Sequence, residues 1–138
     1  PGRTQYWVRR ICDEFYGTDR VHGYGYGQDE DQGQLGAWFV LAGLGLFDIQ
    51  GGTAPRPQFQ LATPLFERIR IHLHPRHHAG EVFEIRTVGD PRRQPYIRSA
   101  RLDGADWPAS TLPWERFRKG GTLELEVGTE PGTNWGRP

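Results

Sequence analysis

At 138 residues, with 17 basic and 17 acidic side chains, the chain is long enough for one buried core but rarely for two, and it has no net field to draw nucleic acid or an anionic membrane. A single cysteine, Cys12, excludes an internal disulfide framework, and no stretch approaches the ~20 apolar residues of a membrane span. Methionine is absent, so the chain has no start residue, which suits a processed or truncated segment of a longer protein.

From Thr4 to Tyr16 the apolar residues Trp7, Val8, Ile11, Cys12 and Phe15 follow the rhythm of one helical face, with Thr4 as a candidate N-cap and Gly17 as a candidate C-cap. Residues 17 to 33 then read as a loop rich in glycine and tyrosine, of a length that is usually functional. A second helix is expected from about Gln34 to Gly45, apolar nearly all round and therefore buried on most sides. Its glycines Gly36, Gly43 and Gly45 cost helix propensity, and the return is close approach of neighbouring backbone.

The texture changes at about Asp48, where glycine and proline rule out a helix and residues 51–57 form a linker. This divides the chain into helices and loop at 1–50, the linker, and a β segment at 58–138. In the β segment Ile69, Ile71 and Leu73 alternate with Arg68, Arg70 and His72, and Leu123, Leu125 and Val127 alternate with Glu124 and Glu126. Val82 to Val88 and Tyr96 to Leu102 supply two more strands, the second followed by a tight turn at Asp103-Gly104. A small antiparallel sheet, or part of a sandwich, is the expected architecture. An apolar helix pair beside so small a sheet implies partners elsewhere in a longer protein.

Chemistry concentrates in the glycine-rich loop, where Asp29 and Asp31 flank Glu30 and project to one side of an extended or turning backbone. Two carboxylates converging on one point can hold a water, a sugar hydroxyl or a cation. Without other information such a run is more often a solvated helix entrance. An EF-hand is excluded because its 12-residue ligand order, with the closing bidentate Glu, is absent. His72, His74, His77 and His78 read as part of an exposed inter-strand turn rather than a metal site, and Trp107, Trp114 and Trp135 as core of the β unit rather than sugar platforms.

The stretch from Gly27 to Phe47 resembles the acidic signature of the calcium-dependent exo-α-mannosidases of glycoside hydrolase family 92, in which an acidic cluster, a glycine and an Ala-Trp pair lead into a hydrophobic helix ending in Leu-Gly. Further pieces agree in order. Arg3 to Ile11 resembles the helix before the signature, Ala62 to Phe66 the family's Ser-Pro-Leu-Phe segment, Tyr96 to Gly104 its strand and turn, and Gly120 to Gly128 with Asn134-Trp135-Gly136 its closing pieces. Leu35 and Gly36 depart from the usual methionine and serine, and the aromatic run Tyr24, Tyr26 replaces a shorter proline-bearing loop.

The resemblance implies an α+β fragment: the terminal helices of an (α/α)6 barrel followed by a small antiparallel β unit. It implies an inverting exo-α-mannosidase acting on terminal α-linked mannose of oligosaccharides or N-glycans, with Asp31 as the water-activating base and Asp29 as its partner, the two roles being exchangeable. Tyr26 and Gln28 are the candidate substrate contacts. The family's general acid and most calcium ligands would lie upstream of Pro1, so the chain alone would be inactive and would rely on the rest of the parent polypeptide, an N-terminal β-sandwich and the remaining barrel helices. A secreted, periplasmic or cell-surface location follows from the same resemblance. The competing reading is a non-catalytic β-sandwich module that binds carbohydrate or is purely structural.

Overall fold

The computed structural model describes residues 1–16 and 33–136. In chain order the elements are α1 (Gly2–Phe15), α2 (Gln34–Leu44), β1 (Leu46–Phe47), β2 (Gln58–Leu61), β3 (Arg68–His72), β4 (Val82–Val88), β5 (Tyr96–Leu102), β6 (Ala105–Asp106), β7 (Thr111–Pro113), α3 (Trp114–Phe117) and β8 (Gly121–Gly128).

Helix α1 starts ahead of Thr4. The Pro1 carbonyl accepts from the Gln5 N–H at 3.1 Å, which places Thr4 inside the first turn, and no side chain caps the helix. At the other end the backbone leaves the helix at Tyr16, which is extended (φ −118, ψ 140). The expected C-cap, Gly17, lies outside the described residues. Burial also corrects the expected apolar face: the covered stripe is Gln5, Arg9 and Cys12, while Trp7 and Phe15 are 55% and 52% exposed. The reason is hydrogen bonding across long sequence separations. One Arg9 guanidinium nitrogen donates to the carbonyls of Pro91 at 2.7 Å, Pro64 at 3.0 Å and Thr63 at 3.4 Å, and the Gln5 side-chain oxygen accepts from the Ile97 N–H at 3.0 Å. Two polar side chains with long-range hydrogen bonds thus turn their own face, not the aromatic one, onto the β unit.

Helix α2 ends at Gly45, whose φ of +73 suits a left-handed C-cap. The Gly45 carbonyl accepts from the Ala62 N–H at 3.0 Å and the Gly43 carbonyl from the Leu65 N–H at 2.9 Å. A Cβ built on Gly45 would stand 2.4 Å from the Ala62 oxygen, so the expected backbone contact is real at this glycine. Only Ala42 and Gly43 of α2 are buried, and Val40 is 60% exposed, so the helix is less covered than its apolar sequence predicts.

Two sheets follow, of order β1-β2-β7 and β3-β4-β8-β5-β6. Strands β3 and β8 match their alternation: Ile69, Leu123, Leu125 and Val127 are buried, while Arg68, Arg70, His72 and Glu126 are exposed. The expected Asp103-Gly104 turn joins β5 to β6, both residues having positive φ (52 and 82), as a two-residue hairpin requires. The sheet is not purely antiparallel, however. β4 and β8 run parallel from Phe83↔Gly121 to Val88↔Glu126, made possible by the long connection through β5, β6, β7 and α3. Period-2 patterning says which face of a strand is buried and nothing about its direction.

The core centres on that parallel pair, where Phe83, Ile85, Leu123 and Leu125 are at most 1% exposed. Leu46, Leu61 and Leu112 of the three-stranded sheet join the same cluster. The Trp135 indole donates to the Trp107 carbonyl at 3.0 Å and the Trp107 indole to the Thr111 carbonyl at 3.0 Å, while Trp114 lies against Phe59 and Phe117. These tryptophans are packing groups. Between β1 and β2 the Asp48 carboxylate accepts from the N–H groups of Gln50 at 2.9 Å and Gly52 at 2.7 Å, fixing the connecting turn.

Replacing Arg9 with Ala removes the side chain that bridges α1 to Pro64 and Pro91. It is expected to lower the unfolding free energy by about 2–4 kcal/mol, since buried carbonyls lose a charged donor. Urea unfolding of the variant beside wild type measures the loss, and Arg9→Lys, which lacks the planar fork, is expected to recover only part of it.

Candidate active site

Asp29 and Asp31, with Tyr26 and Gln28, lie outside the described residues, as do Asp19, His22 and Tyr24. What the structure describes is the mount that carries them. The acidic segment leaves α1 at Tyr16 and enters α2 at Gly33, which has a φ of +94. The end of α1 is held to the body of α2 by aromatic rings: Tyr16 stacks on Phe39 with centroids 4.9 Å apart and planes 5° apart, and on Trp38 at 5.3 Å and 27°. The β unit grips elsewhere. Its hydrogen bonds reach α1 through Gln5 and Arg9 and α2 through Gly43 and Gly45.

Other candidates in the described residues have local explanations. Burial pushes the Cys12 thiol up to about 11, leaving it protonated and inert. In the histidine turn, the His74 Nδ1 accepts from the Arg76 N–H at 3.2 Å, and the His78 ring lies 5.4 Å from that of Trp114. Among the described residues no group of three or more His, Cys, Asp or Glu is placed to hold a metal ion. The described residues therefore do not fit a calcium centre.

The outer face of the five-stranded sheet carries a row of charge that the sequence reading did not single out. Arg68, Arg86, Glu124, Arg101 and Asp106 stand opposite one another in successive strands. Beside them the Glu84 carboxylate, on a side chain only 10% exposed, accepts from Arg68 at 2.8 Å and from Arg86, with Arg70 at 3.9 Å. The hydrogen bonds from Arg86 and then Arg68 hold its pKa down at about 2. A carboxylate so firmly ionised is a poor proton donor, and its surroundings mark it as a cross-strand tie rather than a catalytic acid.

Likeness to known proteins fits this geometry. A family 92 inverting mannosidase from Bacteroides thetaiotaomicron superposes with a TM-score of 0.82 at 30% identity, over 100% of this chain and 17% of its own. A second family 92 α-mannosidase from that organism, in complex with mannoimidazole, superposes with a TM-score of 0.80 over 96% of this chain and 16% of its own, and at 21% identity it shows the fold alone. The fold is thus one found in glycoside hydrolases. A protein of Arthroderma benhamiae described as an uncharacterized secreted glycosidase is 32% identical over 110 residues, which are 78% of this chain and 13% of that relative. The profile of the glycosyl hydrolase family 92 catalytic domain matches residues 1–129, and the chain belongs to that family.

Glu84 generates a pH dependence with a definite sign. Its folded-state pKa lies below the ordinary carboxylate value of 4.5, so the stabilisation is full above about pH 4.5, declines below it and is gone below about pH 2. The thermal midpoint of Glu84→Gln is therefore expected to trail wild type by a constant margin from pH 7 to pH 5. That margin should narrow toward pH 3.

Proposed function

We propose that the chain is the base-bearing portion of an inverting exo-α-mannosidase that removes terminal α-linked mannose from oligosaccharides or glycans. The observation that carries this reading is the family match across residues 1–129, which spans the acidic segment and both helices that hold it. In this reading residues 1–50 are closing helices of an (α/α)6 barrel with the acidic loop, 51–57 the linker and 58–138 the β unit. The chain spans 13% of the curated relative's length and 17% of the inverting mannosidase's, so the general acid and the rest of the sugar site belong to the parent polypeptide.

The carboxylate of Asp31, supported by Asp29, takes a proton from a water on the face of the mannose ring opposite the leaving oxygen. The general acid protonates that oxygen as the glycosidic bond breaks, giving a product of inverted configuration. The two catalytic carboxyl groups would stand about 6.5 to 9.5 Å apart to leave room for the water. A second carboxylate two residues away raises the proton affinity of the base, since like charges disfavour two neighbouring ionised groups, so that it takes the proton from water more readily. Tyr26 and Gln28 are the nearest candidates to touch substrate.

Two apolar grooves along the helix pair support the need for a larger body. One, of about 490 Å³, lies between the helices and β1–β2, and the other, of about 580 Å³, runs past Phe39, Val40 and Phe66. The remaining barrel helices would cover them, and an N-terminal β-sandwich and calcium, held by upstream residues, would complete the enzyme. The secreted relative supports a location outside the cytoplasm, whether secreted, periplasmic or at the cell surface. Among the described residues no helix is long and apolar enough to cross a membrane. The non-catalytic module has less support, because the indoles of Trp107 and Trp135 are tied to backbone carbonyls within the β unit.

In the full-length parent, Asp31→Asn is expected to lower kcat on an α-linked mannobiose by about 10²–10⁴-fold, the range for a lost general base, with the thermal midpoint unchanged. Mannose release should require calcium and stop with a chelator. A larger loss in Asp29→Asn would exchange the two roles, and full activity in both variants would remove the acidic loop from the mechanism.

A further inference from the structure

We infer that an open cavity on the β half, walled by Trp114 and by the connection between β1 and β2, is a binding site for one pyranose ring of a glycan. The inference goes beyond the proposed hydrolysis, and no part of it passes through Asp29 or Asp31. The cavity has a volume of about 400 Å³ and is lined by Asp48, Gly52, Pro57, Gln58, Phe59 and Trp114. That volume lies within the range of about 300–1,000 Å³ usual for small-molecule sites.

Local structure presets these walls. The Asp48 carboxylate accepts from the N–H groups of Gln50 and Gly52, and the Thr53 hydroxyl donates to the Gln50 carbonyl at 2.6 Å, so this side of the cavity is a closed turn. On the other side, the register of β2 against β7 sets Gln58 opposite Pro113, and the Trp114 N–H donates to the Pro57 carbonyl at 2.9 Å. The Trp114 ring rests on Phe117, with centroids 5.4 Å apart and planes 30° apart, and on Phe59 at 6.1 Å. Its orientation is therefore fixed before any ligand arrives.

The indole of Trp114 differs from those of the other two tryptophans in the β unit. Trp107 and Trp135 donate their ring N–H to backbone carbonyls, whereas that of Trp114 has no hydrogen-bond partner among the described residues and is not buried. The Gln58 side-chain amide is also unpaired among them, on an exposed residue. Each Asp48 oxygen accepts one backbone N–H and keeps a further lone pair. The lining thus combines apolar surface from Trp114, Phe59 and Pro57 with free donors and free acceptors. A pyranose matches that combination, with a C–H face for an aromatic ring and hydroxyls that both donate and accept. An anion would meet the charge of Asp48, and a metal ion would find a single carboxylate, so a neutral polyhydroxyl ligand is the class that the lining selects.

Affinity electrophoresis of the full-length enzyme tests this, in native gels containing soluble α-mannan or hydroxyethylcellulose, with a polysaccharide-free gel as reference. Wild type and Asp31→Asn are expected to be retarded alike in at least one polymer, which identifies the ring. Trp114→Ala should raise the apparent Kd drawn from that retardation by about 10-fold or more, and Gln58→Ala by about 3–10-fold. Thermal midpoints identify the variants that stay folded, and Gln58, exposed on β2, keeps the test alive if Trp114→Ala unfolds. No retardation of wild type in either gel overturns the inference, as does wild-type retardation in the folded variants. Mannose release from an α-linked mannobiose by Asp31→Asn is read separately: full activity there removes the base assignment and leaves the cavity standing, whereas lost activity beside unretarded wild type removes the cavity alone.

Discussion

One guanidinium sets the geometry on which everything else in this chain depends. Arg9 reaches across more than fifty residues of sequence to carbonyls on two separate loops, at Thr63-Pro64 and at Pro91, and among the described residues no carboxylate hydrogen-bonds to it. Burying a charge on dipoles alone is costly, and burial indeed presses the Arg9 pKa downward more than nearby Asp13 raises it. The charge survives because a guanidinium starts far above neutrality. What the cost secures is the azimuth of α1. Tyr16 lies about two helical turns beyond Arg9, so the rotation that Arg9 imposes decides which way the acidic segment leaves the helix.

The second helix is held by different means. At Gly43 and Gly45 the join to residues 62–65 is backbone to backbone, and a side chain at Gly45 would collide with the Ala62 oxygen. Such a seam does not depend on the identity of the residues around it beyond the need for glycine. One helix is therefore indexed by a single specific side chain and the other by main-chain hydrogen bonds. Between them they leave the far end of the pair available for chemistry.

How much of this was legible follows the range of the interactions. The strands around Ile69 and Leu125 were readable because alternation is local, and so was the Asp103-Gly104 turn, whose conformation its two residues dictate. The three-stranded sheet was not: β1, β2 and β7 are two to four residues long, and each gains its identity only from a partner far along the chain. The parallel pairing of β4 with β8 escaped for the same reason. On α1, the apolar periodicity found the buried Cys12 but missed Gln5 and Arg9, because their partners lie in the β half. For the site, the acidic residues were legible through their resemblance to a family signature. The stack of Tyr16 on Trp38 and Phe39 was not, since a lone aromatic at a helix end finds its partners only in the folded chain.

The strand order carries a consequence for how the molecule comes into being. In β3-β4-β8-β5-β6, the strand in the middle is the last of the described strands to be synthesised. Until residues 121–128 emerge from the ribosome, β4 and β5 each face an empty slot with unpaired amides and the apolar side chains of Phe83, Ile85 and Ile97 beside it. A nascent chain paused there would offer two adhesive edges to its neighbours. Arrival of one eight-residue strand closes both at once. Quality control of this β unit is therefore concentrated at its carboxyl-terminal side, where a short deletion would leave a half-built sheet rather than a frayed tail.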